Sequence, residues 1–370
     1  MPTGRFEAVY LLQASTAIKL KTNRQQTRFT STPASPAARM DKTIPTGTEL
    51  IGQSGRRYTI ERVLQAKENS PLNVYLAKCL HVLKHPSFRE ANSCLFDRSE
   101  KEDFVLKNVP DFEYLQKVYQ KVDGCSYLRL PQDSMAERSM FVYRYLTTDF
   151  LNLPVKKELP LDITKRVLRD ALQGLAALHD NNIMHNDIKA NNILVDQKDD
   201  GSITDVRLGD LEDAAIVPPG CGISGRQLGN WMWRSPEAHA EGPMTSPTDI
   251  FSFAVVCIYA VHRRLIFSVD ESELGAGEEI LAHVIERQIS YFADEDSIQE
   301  FLELIRESPW AEVFKITRDG FNKENPRKPF ALWKGVDPAF KDLICRMTHF
   351  NPGKRIIARG ALEHELFKGI

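Results

Sequence analysis

The feature that most constrains this chain is the polar segment His185–Asn192, which reads His-Asn-Asp-Ile-Lys-Ala-Asn-Asn. Asp187 is followed by Lys189 and then by Asn192. In an extended loop, such an Asp accepts a hydroxyl proton, the Lys neutralises a moving phosphoryl group and the Asn amide oxygen binds a metal ion. The segment therefore predicts chemistry on the terminal phosphate of a nucleotide. Taken alone, these residues also fit a simple polar loop between two secondary-structure elements.

The flanking sequence predicts a helix before this segment and a hairpin after it. Apolar residues recur upstream with helical spacing: Val167, Leu168, Ala171, Leu172, Leu175 and Leu178. Downstream, residues 192–195 and 206–208 are short β-branched runs around the turn sequence of residues 199–202, which predicts a β-hairpin. The second run leads into Leu208-Gly209-Asp210-Leu211-Glu212.

The order of helix, polar loop and hairpin resembles the catalytic region of protein kinases, whose loop motif is H-R-D-L-x-x-x-N. Lysine two residues after the Asp is the serine/threonine form of that loop. Residues 208–212 stand at the D-F-G position of the family. The resemblance implies that Asp210 binds the magnesium ion that bridges the nucleotide phosphates.

Three later landmarks extend the resemblance. Ser235-Pro236-Glu237 stands where A-P-E closes the family's activation segment, and residues 248–254 resemble its D-x-W-S-x-G helix. Arg355 follows Asn-Pro-Gly-Lys at the site of the family's late arginine. These landmarks imply a buried ion pair between Glu237 and Arg355.

The resemblance implies an α+β fold with two lobes, and the length of 370 residues is sufficient for it. A small β-rich lobe is predicted over residues 56–146 and a larger helical lobe over residues 147–368. Residues 79–103 are predicted to be an insertion between the second and third strands of the small lobe.

The insertion contains Cys79, His81, His85 and Cys94, which raises the alternative of a zinc site. The spacing has no C-x-x-C core, so a surface loop is the preferred interpretation.

Residues 1–45 are predicted to be a disordered basic tail or a targeting segment. The first 40 residues hold six Lys or Arg against one Glu, a net charge of +5, which leaves −7 for residues 41–370. An Arg-rich, Ser/Thr-rich and acid-poor composition is also typical of mitochondrial transit peptides. The six cysteines lack paired spacing and suit a reducing compartment. We therefore expect a cytoplasmic protein, with mitochondria as the alternative location.

A lysine of the small lobe is the candidate anchor for the nucleotide. Phe104-Val105-Leu106-Lys107 resembles the third-strand V-A-I-K, which implies that Lys107 contacts the α- and β-phosphates. The alternative is a solvent-facing strand lysine. In the family this lysine pairs with a Glu on the next helix, but the only acid of the predicted helix 112–122 is Glu113, which points away from the apolar face. No partner is therefore assigned.

The turn between the first two strands departs from the family. Lys67, Asn69 and Leu72 stand where three glycines are expected. Glycine is used there because backbone N–H groups must approach the phosphate oxygens closely. The sequence therefore predicts a looser grip on the nucleotide.

Residues 140–149 resemble the fifth strand and the linker between the lobes. In that register, the Arg144 carbonyl and the Leu146 backbone face adenine, and Asp149 reaches the ribose hydroxyls. A helix N-cap is an equally open interpretation of Asp149.

Three departures in the large lobe concern the catalytic residues and their regulation. Asn186 replaces the Arg that reads a phosphorylated activation segment in many kinases. Glu212 replaces the Gly of D-F-G, where its carboxylate either repels ATP or helps to hold a metal ion. Asn230 replaces the Thr that bridges the catalytic Asp and Lys.

Together these motifs predict an ATP-dependent serine/threonine protein kinase with Mg²⁺ as its metal. The candidate catalytic residues are Asp187 and Lys189, the nucleotide-binding residues are Lys107, Leu146, Asp149, Asn192 and Asp210, and the metal ligands are Asn192 and Asp210. We expect a protein substrate and no nucleic-acid partner. No membrane partner is expected either, because the longest nearly apolar run, residues 251–261, is far shorter than the ~20 residues of a membrane span. The alternatives are a pseudokinase scaffold and a kinase-fold enzyme acting on a small molecule.

Overall fold

The β-branched and aromatic runs before residue 145 form one antiparallel sheet in the computed structural model. The structure describes residues 43–66, 72–80, 101–153, 159–274 and 279–370. The strands of the sheet are β1 (Glu49–Ile51), β2 (Arg57–Gln65), β3 (Val74–Leu80), β4 (Lys101–Asn108), β5 (Asp133–Met135) and β6 (Met140–Arg144). Their order across the sheet is β1-β2-β3-β4-β6-β5.

Helix α1 (Phe112–Lys121) lies between β4 and β5 in the chain and packs on the sheet. It begins where the Asp111 carboxylate accepts a hydrogen bond of 3.1 Å from the Tyr114 N–H, which satisfies one free donor of the first turn. Its apolar face is turned inward, and the Phe112 ring stacks on Phe141 with the centroids 4.4 Å apart. The predicted helix over residues 112–122 is thus present, with Val122 as its C-cap.

The small lobe begins earlier than the predicted residue 56. Strand β1, which is too short to produce a periodic pattern, pairs with β2. Within the predicted tail, the Ile44 N–H donates to the Tyr75 hydroxyl at 3.1 Å. Strands β3 and β4 pair as far as Leu80 and Lys101, so residues 79, 80 and 101–103 of the predicted insertion belong to the strands, while residues 81–100 lie outside the described part of the chain.

Several predictions fall outside the described residues. These are the tail up to residue 42, the turn positions Lys67 and Asn69, and three of the four zinc candidates. The fourth candidate, Cys79, is buried in the small-lobe core beside Tyr58 and Phe104.

The chain after residue 147 is mainly helical. Its helices are α2 (Leu161–Asp180), α3 (Pro236–His239), α4 (Ser246–His262), α5 (Ile280–Phe292), α6 (Glu295–Leu304), α7 (Ala311–Asp319), α8 (Pro338–Met347) and α9 (Ala358–Leu362). Its short strands are β7 (Thr148–Asp149), β8 (Ile183–Met184), β9 (Ile193–Gln197), β10 (Ile203–Leu208) and β11 (Ala215–Ile216).

Helices α2 and α4 form the centre of the large lobe. The apolar face predicted for α2 is buried, and α4 is buried from Thr248 to Ala260, where the residues after Asp249 are apolar apart from Ser252. Within the described ranges, no helix combines the length and the apolar character needed to cross a lipid bilayer.

The predicted hairpin is formed by β9 and β10, which present the residues of the site at their ends. Its turn closes through a bond of 2.9 Å from the Lys198 N–H to the Ser202 carbonyl, and Gly201 adopts the φ of 87° that this turn requires. Strand β9 also pairs with β7, which brings the linker between the lobes close to the polar loop. The predicted α+β fold with two lobes is confirmed.

Candidate active site

A buried carboxylate of α4 fixes the start of the polar loop. Asp249 accepts hydrogen bonds from the backbone N–H of His185 at 2.8 Å and of Asn186 at 2.9 Å. Asn186 has a φ of 65°, a left-handed conformation that asparagine adopts more readily than most residues. Helix α4, which belongs to the core, therefore holds the start of the loop in one conformation.

The three candidate residues of this loop meet at one point. The Lys189 Nζ donates to Asp187 Oδ2 at 2.6 Å. The Asn192 Nδ2 donates to the Asp187 carbonyl at 2.8 Å and to its Oδ2 at 3.2 Å. Both donors use the same carboxylate oxygen, so Oδ1 of Asp187 has no hydrogen-bond donor among the described residues.

The segment after β10 is joined to this loop. The Gly209 N–H donates to the Asn192 carbonyl at 2.8 Å. Asp210, which follows, adopts a left-handed φ of 62°, so that its side chain leaves the strand direction. This backbone bond between Asn192 and the residue before Asp210 brings the two predicted metal ligands close together.

Lys107 reaches across from the small lobe to this segment. Its Nζ lies 2.7 Å from Asp210 Oδ1 and 2.6 Å from Glu212 Oε1. The Glu212 contact is an ion pair rather than a directed hydrogen bond. Burial lowers the pKa of Lys107, but the two carboxylates outweigh that effect and the net pKa is raised. Lys107 is therefore a charged group inside the cleft and not a solvent-facing strand lysine.

The partner of Lys107 is the functional residue that the sequence analysis did not identify. Glu113 of α1 is exposed, as its helical position predicted. Besides the predicted metal ligand Asp210, the acid that contacts Lys107 is Glu212, the departure from D-F-G. The sequence marked Glu212 as unusual, but only the folded chain shows that its carboxylate reaches the lysine.

The donor set around Asp210 fits a magnesium ion bound together with a nucleotide. Asn192 uses its amide nitrogen for Asp187, which leaves its amide oxygen for a hard cation. No group of three His, Cys, Asp or Glu side chains in the described ranges is arranged to hold a metal on its own. One carboxylate and one amide suit Mg²⁺, which is commonly bound by one or two carboxylates and by substrate phosphates.

An arginine of the segment between α1 and β5, which sequence reasoning missed, contacts the linker between the lobes. The Arg129 guanidinium donates to the Arg144 carbonyl, with its Nη2 at 2.9 Å, and lies over the Tyr143 ring at 5.1 Å from the centroid. The sequence register assigned this carbonyl to adenine, and its contact with adenine stays a prediction: the oxygen already accepts from one side chain of the protein, which leaves a single lone pair for a nucleotide. The side chain of Leu146, in the linker, is buried. The contact of its backbone with adenine stays a prediction.

The Asp149 side chain bonds to Asn152, three residues further along the chain. Its carboxylate accepts from the Asn152 N–H at 3.0 Å and from the Asn152 Nδ2 at 2.8 Å. These bonds fix the turn after β7. The contact with ribose hydroxyls remains a prediction.

Uncharged contacts hold the activation segment in place. The Asn186 Nδ2 donates to the Asp213 carbonyl at 2.8 Å, and β11 pairs with β8. Asn230 does not bridge Asp187 and Lys189, because its amide oxygen accepts from the Met232 N–H at 3.0 Å. The described segment is thus fixed to the lobe without a phosphate group.

The predicted pair between Glu237 and Arg355 is confirmed. Two bonds of 2.5 and 2.8 Å join the guanidinium to the carboxylate, and both side chains are 0% exposed. Burial raises the pKa of Glu237, but Arg355 outweighs it and the net pKa is lowered. The pair connects the end of the activation segment to the last part of the lobe.

Known proteins share the sequence pattern and the fold of this chain. The model of the family described as "Protein kinase domain" matches residues 62–367. Cyclin-dependent kinase 4 of Ovis aries, Rattus norvegicus and Mus musculus is 27% identical over 271 residues, which span 71% of this chain and 78% of the relative. A chain of the yeast RNA Pol II CTD kinase CTDK-1 complex matches with a TM-score of 0.60 and 16% identity over 84% of this chain and 97% of that chain. This last similarity concerns the fold alone.

Proposed function

Because the chain belongs to the protein kinase domain family, we propose that it is a serine/threonine protein kinase that transfers the γ-phosphoryl group of ATP to a protein hydroxyl. The observation that carries the proposal is the convergence of Lys189 and Asn192 on Asp187, to which both donate hydrogen bonds, next to Asp210. The lysine two residues after the catalytic Asp supports serine and threonine as the acceptors.

In this mechanism each polar group of the site has one task. Asp187 Oδ1, which has no donor among the described residues, orients the substrate hydroxyl and accepts its proton. Lys189 stabilises the charge on the transferred phosphoryl group, and Lys107 binds the α- and β-phosphates. Asn192 and Asp210 are the ligands for Mg²⁺, which supplies charge neutralisation at the phosphates when bound.

A pseudokinase scaffold is the second candidate, because one specific observation favours it. The Arg129 guanidinium occupies the linker carbonyl that the family register assigns to adenine. Together with the glycine-poor turn at Lys67, Asn69 and Leu72, this contact predicts weak nucleotide binding. Weak ATP binding alone does not distinguish a scaffold from an enzyme. The protein is a scaffold only if it also transfers no phosphoryl group.

The experiment that tests the proposal measures binding and transfer separately on the full chain. We expect Asp210→Asn to abolish magnesium-dependent ATP binding, since a neutral amide is a poorer ligand for a hard dication. We expect Asp187→Asn to retain binding but to lower phosphoryl transfer to a Ser/Thr peptide library by roughly 10²–10⁴-fold.

The control is Glu113→Gln, which removes an exposed acid outside the site and leaves both measurements unchanged. Equal turnover in the wild type and in both site variants would assign the activity to a contaminant. ATP binding without turnover in the wild type would favour the scaffold.

We further propose that the protein acts in the cytoplasm, with mitochondria as the alternative. The basic, Ser/Thr-rich composition of the first 40 residues supports the alternative. Fluorescence imaging of the full chain beside the chain without these residues distinguishes the two. Mitochondrial signal that depends on the first 40 residues would contradict the cytoplasmic proposal.

A further inference from the structure

Lys107 receives both of its acidic contacts from one short segment of the large lobe. Its Nζ is 2.7 Å from Asp210 Oδ1 and 2.6 Å from Glu212 Oε1. Asp210 caps the single 3₁₀ turn that contains Glu212. A lysine ammonium has three donors, and the hydrogen bond to Asp210 uses one of them, which leaves N–H groups for phosphate oxygens.

Helix α1 supplies no acid to this lysine. Its only acid, Glu113, is exposed, and its buried face consists of Phe112, Leu115, Val118 and Tyr119. The Tyr119 hydroxyl bonds to the Tyr143 hydroxyl at 2.8 Å. The inward face of the helix is therefore apolar apart from a neutral hydroxyl pair.

The segment that carries Glu212 is fixed on both sides. Before it, the Gly209 N–H donates to the Asn192 carbonyl at 2.8 Å. After it, the Asp213 carbonyl accepts from the Asn186 Nδ2 at 2.8 Å. The Glu212 side chain is 26% exposed, so most of its surface lies inside the protein. A carboxylate on such a segment has a defined position relative to the catalytic loop.

We propose that Glu212 is a positioning residue for the nucleotide: its carboxylate sets the direction of Lys107, a role for which α1 offers no acid. The inference rests on the proposed nucleotide site. If Glu212 has this role, the segment that carries the metal ligand Asp210 also aligns Lys107. The alignment does not depend on the position of α1.

The test is calorimetric titration of the full chain with ATP, both with Mg²⁺ and with EDTA. We expect Glu212→Gln, which keeps the shape and removes the charge, to raise the Kd of ATP about tenfold in both conditions, because the ion pair that directs Lys107 is lost. Glu212→Asp keeps the charge and restores part of the affinity. Glu113→Gln, the matched substitution on α1, leaves the Kd unchanged.

Four results would overturn the inference. Unchanged affinity in Glu212→Gln would show that Lys107 needs no such partner. Tighter binding would show that Glu212 repels the triphosphate, and a loss seen only with Mg²⁺ would make Glu212 a metal ligand. A tenfold loss of binding in a protein without phosphoryl transfer would support the inference and overturn the proposed function. A wild type that binds no ATP would overturn both.

Discussion

The substitution Glu237→Gln tests how much the buried ion pair contributes to stability. The carboxylate of Glu237 accepts two bonds from Arg355 and one of 2.9 Å from the Thr248 hydroxyl. The amide variant has almost the same shape. It leaves the Arg355 guanidinium, which is 0% exposed, without a counter-charge.

The expected loss of stability follows from the contacts that Arg355 loses and keeps. Removing one partner of a buried pair costs about 3–5 kcal/mol. Arg355 keeps backbone acceptors at His349 and Pro247, at 2.7 and 3.1 Å, so we expect the lower end, about 3 kcal/mol. That is a large fraction of the ~5–15 kcal/mol by which native proteins are stable. The double variant Glu237→Leu with Arg355→Met removes both charges and recovers most of the loss.

The assay is urea unfolding followed by tryptophan fluorescence. All four tryptophans, Trp231, Trp233, Trp310 and Trp333, lie in the large lobe that contains the pair. The matched control is Arg359→Gln, because Arg359 and its partner Asp180 are 56% and 45% exposed and such pairs contribute about 1 kcal/mol or less. A loss in Glu237→Gln no larger than that of the control would refute the reasoning.

The pH dependence gives a second check on the same variant. The pKa of Glu237 in the folded protein lies below its ordinary value of 4.5. The contribution of its charge is therefore fully present above pH 4.5 and decreases as the pH falls toward the folded pKa. The stability difference between wild type and Glu237→Gln should stay constant from pH 8 to about 5.5 and narrow below pH 4.5. A difference that widens at low pH would contradict the assignment.

Three further predictions follow from local geometry. Arg129→Leu frees the linker carbonyl for the adenine amino group. In parallel titrations the KM for ATP should therefore fall and the KM for GTP should rise. Equal changes in the two KM values would contradict this prediction. Gly229→Ala should lower the melting temperature and the transfer rate, because its φ is +74° and a Cβ would lie 2.6 Å from the Asn186 carbonyl oxygen, a strain of about 1–3 kcal/mol; an unchanged melting curve would exclude the clash. Asn69→Gly with Leu72→Gly should lower the KM for ATP with little change in kcat, the kinetic sign of better uniform binding, whereas an unchanged KM would show that the turn does not limit the grip.

The sequence predicted those parts of the site that neighbouring residues build. The segment 185–192, the hairpin after it and the helix before it are each set by local spacing and by turn residues, and all three were located correctly. Glu237 and Arg355 are far apart in the chain, but each of them belongs to a motif that the sequence shows.

The remaining features depend on tertiary contacts that no local pattern encodes. Lys107 contacts Glu212 only because the two lobes face each other. The family pattern instead placed the partner of this lysine on helix α1. Arg129 reaches the linker carbonyl through packing beside Tyr143. Strand β1 is three residues long, which is too short for alternation to be recognised.

The pairing of β3 with β4 has a practical consequence for protein engineering. Leu80 and Lys101 are directly opposite each other in the ladder, so the two strand ends are adjacent. Closing a loop between such ends has an entropy that grows only slowly with its length. We therefore expect that a short turn or a fluorescent reporter domain can join Leu80 to Lys101 in place of residues 81–100, while the strands on either side keep Lys107 in its place.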